Sequence, residues 1–364
     1  MYWVTEWAAV RRDEVIDLPD VLAVHPDFWG GDREGFERGF VAAHGAIKSI
    51  YDAISRDPAA WRMPLFEVEE FHYGSKEARA ARYAPWRPID VLRALALSGE
   101  PEGGAIRVDA ARFGEVCHVP AAGALIAPLS EMGFEFIGVK GSRFPKTGMF
   151  SVGYPDCPDV ARALCAVARK AERLARDGRV SHDGPYADDF ASWNWRLAAC
   201  GADEGGYGEG ADYVADRFHS AADRAFAWEF DRRMIETGHF RGRDRWNEGP
   251  RLCYYARESD RDHRRPYRFM LMSWKSEPRL YLRIRDADAC AAHAEGASEA
   301  IREMFRRDEP GCHNRDHCKL GVHYIFEGVP RRHCGCCAAA FQIRPAIEDL
   351  DDYLALVELG ENKR

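Results

Sequence analysis

Residues 311–341 read GCHNRDHCKLGVHYIFEGVPRRHCGCCAAAF and hold five of the chain's eleven cysteines and four of its thirteen histidines. Cysteines stand on both sides of a strand-like run, residues 321–326, and of the turn residues 327–330 that follow it. Small zinc-binding units are commonly built in this way, with a pair of cysteines on each arm of a hairpin. The sequence therefore predicts a metal site in this stretch.

Zinc in a structural site takes four thiolate or imidazole ligands in a tetrahedron. Cys334 and Cys337 form a C-x2-C pair, with Cys336 as a spare thiol between them. Cys312 and Cys318 form the second pair, across a spacer of five residues that is longer than usual. We therefore expect one structural zinc ion per chain, held by Cys312, Cys318, Cys334 and Cys337.

Several alternatives to this site stay open. Cys336 is an alternative to Cys337 as a ligand. An imidazole is an alternative to one of the thiolates, and the candidates are His313, His317, His323 and His333. The cysteines are also compatible with reduced thiols that hold no metal, or with an iron–sulfur cluster, which the interleaved histidines disfavour.

Composition places the chain among globular proteins, since 46% of its 364 residues are hydrophobic and 30% are charged. This length allows two or three domains with cores of their own. The formal net charge of −8 argues against a chain that coats nucleic acid nonspecifically, because such binding comes from neutralising phosphates. A local basic surface remains compatible with this charge.

The remaining cysteines and the ends of the chain bear on its location. Six cysteines are scattered singly along the sequence, which is typical of reduced thiols in a cytoplasmic protein and not of a disulfide framework. No apolar run approaches the roughly 20 residues that a membrane helix needs. The first residues, MYWVTEWAAVRRDE, lack the basic-then-apolar order of a signal peptide. We expect a cytoplasmic protein without a membrane partner.

Hydrophobic periodicity predicts an α+β fold. A helix should begin behind the N-cap residue Asp32 and bury one face, Phe36, Phe40, Ile47, Tyr51 and Ile54. Further helices are predicted over residues 89–97, 109–116, 122–132, 158–178, 190–197 and 222–236, from Ser298 to residue 305, and over the acidic segment 347–357. Strands are predicted over residues 134–139, 148–154, 251–256, 267–274 and 279–285. In the last of these, Leu280, Leu282 and Ile284 should face the core and Tyr281 should face solvent.

The order of these elements predicts two similar helix and antiparallel-sheet units plus a small C-terminal zinc knuckle. In both halves a helix, an antiparallel hairpin and a second helix follow one another. The predicted regions are a mostly helical N-terminal region (1–105), a first α+β unit (106–200), a Gly-rich linker (201–210), a second α+β unit (211–309) and a Cys-rich zinc-binding module with the C-terminal helix (310–364).

An enzymatic alternative rests on His293 and Glu295 together with the later pair Cys334 and Cys337. Their order matches the H-x-E … P-C-x-x-C signature of zinc nucleoside and nucleobase deaminases. In that signature the histidine and two cysteines hold zinc, and the glutamate moves protons between water and the base. Against it, Gly296 breaks the helix directly after the glutamate, and the other cysteine pair would have no role. We therefore expect a non-catalytic binding or regulatory protein with a protein or nucleic-acid partner, and keep a deaminase-type zinc hydrolase as the alternative.

The C-terminal pattern resembles that of a family of bacterial proteins of unknown function. In that family a cysteine pair, Tyr, Gly, Cys and Phe precede a short acidic helix. The corresponding positions in this sequence are Cys312, Cys318, Tyr324, Gly328, Cys334, Phe341 and residues 348–356. The stretch GFEFIGVKGSRFPKTGMFSVGYPD, residues 133–156, is also similar to theirs. The resemblance implies a metal site and no particular activity.

Overall fold

The computed structural model describes residues 2–67, 75–176, 188–201, 211–246, 249–256, 269–274, 277–282, 284, 286–307, 322–333 and 341–361. The chain divides into two compact units, Met1–Gly208 and Glu209–Arg364. Helices and small antiparallel sheets occur in both units, so the predicted α+β class is confirmed. Of the predicted linker, residues 201–210, only residue 201 belongs to the described residues.

The described part of the first unit is mainly helical. Its helices are α1 (Trp3–Asp13), α2 (Pro26–Trp29), α3 (Arg33–Arg56), α4 (Lys76–Tyr83), α5 (Arg87–Ser98), α6 (Ala110–Val116), α7 (Ile126–Glu131), α8 (Val160–Arg176), α9 (Asp188–Ala191) and α10 (Arg196–Ala199). Short 3-10 turns, Ala84–Trp86 and Ala122–Leu125, precede α5 and α7. Its strands are β1 (Gly99–Glu102), β2 (Ala105–Asp109), β3 (Glu135–Ile137) and β4 (Met149–Gly153).

Helix α3 is the centre of the first unit and confirms the helix predicted behind Asp32. The Asp32 carboxylate accepts a hydrogen bond of 3.0 Å from the amide of Gly35, as an N-cap should. The predicted core residues Phe36, Phe40, Ile47, Tyr51 and Ile54 are all fully buried. Because each such side chain contributes about 1.5–3 kcal/mol on burial, this face holds α3 against α1 and α8.

The sheet of the first unit has the strand order β1-β2-β4-β3, with every pair antiparallel. The strands predicted over residues 134–139 and 148–154 are confirmed as β3 and β4. The hairpin β1–β2 was not predicted, and the predicted regional boundary at residues 105/106 falls inside β2. Its turn residues Gly103 and Gly104 have φ of 59° and 82°, values that glycine adopts without strain.

The helix predicted over residues 190–197 is wrong, since the structure has two short helices there, α9 and α10. The break lies at Trp193, whose φ is 46°, an unusual value for a residue with a large side chain. Trp193 is fully buried, its ring packs 4.9 Å from that of Phe40, and its Nε1 donates to the Phe40 carbonyl at 3.0 Å. These tertiary contacts stabilise a backbone conformation that local periodicity does not indicate.

The described part of the second unit contains a larger sheet. Its helices are α11 (Asp212–Ala215), α12 (Ala221–Glu236), α13 (Ala287–Ala294), α14 (Glu299–Arg306) and α15 (Leu350–Glu361), the last preceded by a 3-10 turn, Ile347–Asp349. Its strands are β5 (Phe240–Trp246), β6 (Gly249–Tyr255), β7 (Phe269–Trp274), β8 (Glu277–Leu282), β9 (Val322–Phe326), β10 (Val329–His333) and β11 (Phe341–Ile343). One sheet has the order β11-β8-β7-β6-β5, and β9 pairs with β10 in a separate hairpin.

Most predicted elements of the second unit are confirmed, among them α12, β6, β7, β8 and the Ser298 cap of α14. Strand β5 was not predicted, because its sequence FRGRDRW carries alternating charges and only two aromatic residues. The outward orientation predicted for Tyr281 is wrong, since that residue is 6% exposed while its neighbours Leu280 and Leu282 are fully buried. Both faces of β8 are therefore covered, and alternation does not indicate a solvent face here.

A buried polar contact joins α12 to the sheet. The Asp231 carboxylate accepts two hydrogen bonds from the Arg241 guanidinium, at 2.7 and 2.9 Å. It also accepts one of 3.0 Å from the Tyr254 hydroxyl. Burial and the adjacent carboxylate raise the pKa of Tyr254, which therefore stays protonated and keeps this bond.

We predict that Trp193→Phe lowers the free energy of unfolding of the first unit by about 2–4 kcal/mol. The substitution leaves the Phe40 carbonyl without its indole donor and opens space in the core. Chemical denaturation measures the loss. The matched control is Trp195→Phe, at a half-buried residue two positions away. This substitution should lower the free energy of unfolding by less than half as much. Equal losses for the two variants would contradict the central role of Trp193.

Candidate functional site

The predicted zinc ligands, Cys312, Cys318, Cys334 and Cys337, lie outside the described residues. The same holds for the alternative ligands Cys336, His313 and His317. The zinc site therefore stays a prediction. The structure does describe the hairpin β9–β10, which stands between the two cysteine-bearing segments, and the elements against which this hairpin packs.

The hairpin has a two-residue turn, Glu327 and Gly328, with φ of 50° and 73°. Two successive residues of positive φ are typical of the type I′ turn, whose twist suits an antiparallel pair. The strand predicted over residues 321–326 is confirmed as β9, and the predicted turn is confirmed but shorter, since residues 329 and 330 belong to β10.

The pairing of Val322 with His333 is the last of the hairpin and lies opposite the turn. Paired Cα atoms in an antiparallel ladder are about 4.5–5.5 Å apart. In the sequence, residues 308–321 carry one predicted cysteine pair and directly precede Val322. Residues 334–340 carry the other cysteines and directly follow His333. The register thus places Val322 and His333, the described residues that adjoin the two cysteine-bearing segments in sequence, opposite each other at one end of the hairpin.

An aromatic cluster holds the inner face of the hairpin. It consists of Phe305 from α14, Tyr324 and Phe326 from β9, His333 from β10 and Phe341 from β11, all buried. The ring of Phe305 lies 4.8 Å from that of Phe341 and 5.7 Å from those of Tyr324 and Phe326. The Tyr324 hydroxyl donates to the Phe305 carbonyl at 2.8 Å. The hairpin is therefore docked through packed rings and one buried hydrogen bond.

His333 and Phe341 stack almost in parallel, with ring centroids 4.1 Å apart and planes 9° apart. His333 ends β10, and Phe341 begins β11, where it pairs with Leu282 of β8. The two described residues that flank positions 334–340 in the sequence are therefore in contact on a packed support. Fixed ends lower the entropy that is lost when a short segment closes around an ion.

The two described histidines of the stretch differ in position. His333 is 1% exposed and lies in the cluster, directly before Cys334. His323 is exposed on the opposite face of the hairpin, where it pairs with Arg332.

Two arginines of α14 hold the turn end of the hairpin. The Glu327 carboxylate accepts hydrogen bonds from Arg306, at 2.8 and 2.6 Å, and from Arg302. These contacts, with Arg306 the larger cause, lower the pKa of Glu327 to about 2. This contact was not predicted from the sequence, although the spacing of Arg302 and Arg306 by four residues places them on one helical face.

The two helical residues of the deaminase-like signature have partners in the fold. His293 Nε2 lies 3.1 Å from Asp352 Oδ1 of α15. Glu295 Oε1 accepts a hydrogen bond of 2.9 Å from the backbone amide of Glu327. Glu295 is thus at the turn end of the hairpin, whereas Cys334 follows its other end. Because β10 has five residues, those ends are about 14 Å apart.

The described cysteines outside the Cys-rich stretch are free thiols: Cys117, Cys157, Cys165, Cys200, Cys253 and Cys290. Burial raises the pKa of Cys165 and of Cys290 to about 12, so both thiols are protonated near neutral pH. Since the thiolate is the metal-binding form, these two residues act as small core side chains. Within the described ranges, no group of three or more His, Cys, Asp or Glu side chains is placed to hold a metal ion.

Comparison of the chain with protein-family models, with curated proteins and with solved structures finds no match in any of the three. In the described part of the chain, no helix has the length and apolar character needed to cross a bilayer.

We predict that Glu295→Ala speeds hydrogen exchange of the Glu327 amide on the order of fivefold, because it removes the acceptor of that amide. Glu295→Gln is the matched control, since its side-chain oxygen can accept the same hydrogen bond. Exchange resolved to single residues by NMR measures the effect. An unchanged rate in the alanine variant would show that Glu295 does not cap the turn.

Proposed function

We propose that this protein is a non-catalytic zinc-binding protein whose metal closes a small C-terminal module, residues 310–364. The ligands are Cys312, Cys318, Cys334 and Cys337. The observation that supports this proposal is the pairing of Val322 with His333, the described residues that adjoin the two cysteine-bearing segments in sequence. A closed tetrahedral zinc site needs two ligand pairs that converge in this way.

The zinc ion acts in this proposal as a structural clamp. A two-stranded hairpin is at best marginally stable by itself in water, and small folding units commonly rely on a metal in addition to their cores. The aromatic cluster and the Glu327 contacts fix the inner face and the turn of the hairpin. Zinc bound by four thiolates would fix the remaining end and would leave no position for a reacting water.

The outer face of the hairpin is the proposed contact surface for a partner, which is a protein or a nucleic acid. Ile325 is 62% exposed there and pairs with Pro330. Arg332 and His323 follow on the same face. A surface of this kind offers an apolar contact beside positive charge, and a rigid hairpin presents it at little entropic cost.

Other parts of the proposal rest on the sequence. The repeated order of helix, hairpin and helix supports two similar units, although their sheets have different strand orders. The resemblance to a bacterial family with a Cys-rich C-terminal module supports the same kind of metal site. The scattered cysteines support a cytoplasmic location.

We predict that protein purified without chelator contains about one zinc ion per chain, measured by elemental analysis. Serine at any one of Cys312, Cys318, Cys334 or Cys337 should reduce the zinc content strongly, because an incomplete thiolate set binds zinc weakly. The control is Cys157→Ser, a half-buried cysteine of the first unit, which should leave the zinc content unchanged.

Two results would contradict this function. One is a zinc content well below one per chain, or a content that none of the four substitutions changes. The other is release of ammonia from cytidine or adenosine that Glu295→Gln abolishes, which would favour the deaminase-type hydrolase instead.

A further inference from the structure

The loop between β3 and β4, residues 138–148, forms a cationic surface on the first unit. Its sequence, GVKGSRFPKTG, contains Lys140, Arg143 and Lys146 and no acidic residue. All three residues are exposed. In the part of the chain that the structure describes, none of their side chains forms an ion pair or a hydrogen bond. The positive charge of this loop is therefore not neutralised by the fold.

Aromatic packing holds the base of this loop. The ring of Phe144 lies 4.7 Å from that of Phe113 on α6 and 5.6 Å from that of Phe150 on β4. Nearer the tip, Lys140 and Arg143 face each other in an antiparallel β-bridge. A backbone that is already ordered loses less conformational entropy when a partner binds. The loop thus presents its cations from a defined position.

A close backbone contact holds the tip of the loop from a second side. A side chain at Gly123 would begin 2.1 Å from the Ser142 carbonyl oxygen, so only glycine allows the 3-10 turn to approach the loop this closely. Gly141, beside Ser142, has a φ of 56° and no atom within 4 Å of the point where a side chain would begin. The tip is therefore packed on the side of Gly123 and open to a partner at Gly141.

Two exposed apolar residues lie where the strands meet this loop. Ile137 ends β3 and is 56% exposed, and Met149 begins β4 and is 49% exposed. Ile137 pairs with Ser151, and Ser151 and Met149 lie on the same side of β4, opposite to the buried Phe150. Both apolar side chains therefore lie on the outer face of the sheet, next to the cationic loop.

We propose that the β3–β4 hairpin binds double-stranded DNA, with the loop cations on phosphate groups and with Ile137 and Met149 in the major groove. Phosphate oxygens are bound mainly by Arg and Lys, together with Ser, Thr and backbone amides, and the loop also contains Ser142 and Thr147. The major groove of B-DNA is about 12 Å wide and admits a two-stranded ribbon, and its thymine methyl groups make apolar contacts.

Other nucleic acids fit this surface less well. Single strands are bound through aromatic side chains that stack on bases, but the aromatic residue of the loop, Phe144, is packed against Phe113. The major groove of an RNA duplex is too narrow for side chains to enter. We expect weak binding, because the net charge of −8 means that the rest of the chain repels phosphates. The proposal is independent of the zinc site.

The test is fluorescence anisotropy of a short labelled DNA duplex titrated with the full chain at about 50–200 mM salt. The logarithm of the binding constant should fall against that of the salt concentration with a slope of about −2.7, because each of three phosphate contacts contributes about −0.9. Arg143→Gln should reduce this slope by about 0.9 and weaken binding about tenfold at the lowest salt. Lys146→Gln should have the same effect.

Controls separate this surface from general electrostatics. Arg79→Gln removes an exposed arginine of α4 and should change neither the affinity nor the slope. Ile137→Ser should weaken binding without changing the slope, because it removes an apolar contact and no charge. The proposal would be overturned by absence of saturable binding at the lowest salt, by equal effects of Arg79→Gln and Arg143→Gln, or by an unchanged affinity of Ile137→Ser. Equally tight binding of an RNA duplex, of single-stranded DNA or of polyglutamate would overturn it as well.

Discussion

The end of the hairpin at Val322 and His333 is the constraint on which the C-terminal module depends. Backbone pairing alone does not secure it, because two strands without further support are marginal in water. The stack of His333 on Phe341, at 4.1 Å, connects this end to the larger sheet through β11. An ion bound by the flanking cysteines would therefore stabilise an end of the β9–β10 hairpin that side-chain packing already holds in place.

Packing and electrostatics contribute unequally to this support. Aromatic pairs contribute about 0.5–1.5 kcal/mol each beyond the effect of their buried area, and the cluster around Phe305 contains several such pairs. Exposed ion pairs, such as those of Glu327 with Arg302 and Arg306, contribute little to stability, because water and salt screen them. The rings thus supply most of the stability of this support, while Arg302, Arg306 and Glu295 form hydrogen bonds with the turn residue Glu327.

The sequence was sufficient where periodicity and caps agree, as in α3 behind Asp32 and in the hairpin around Glu327. It was insufficient where a distant contact decides the backbone. Trp193 breaks a helical pattern because its indole bonds to α3, a partner about 150 residues away in sequence. Strand β5 lacks an apolar alternation and was not predicted. One of its charged residues, Arg241, pairs with Asp231 on helix α12, a contact that the local sequence does not indicate. In the candidate site, the sequence singled out Glu295 only through the deaminase-like signature, and the fold alone showed that it accepts a hydrogen bond from the Glu327 amide.

X-ray absorption spectroscopy at the zinc edge, on protein as purified, tests whether four cysteine thiolates hold the proposed zinc ion. We expect sulfur neighbours at about 2.3 Å that fill all four positions, because the proposed ligands are cysteine thiolates in a closed site. Substitution of Cys334 by serine should remove this signal together with the metal. A shell with two or more nitrogen or oxygen neighbours at about 2.0–2.1 Å, or with a bound water, would contradict the structural role proposed for the ion.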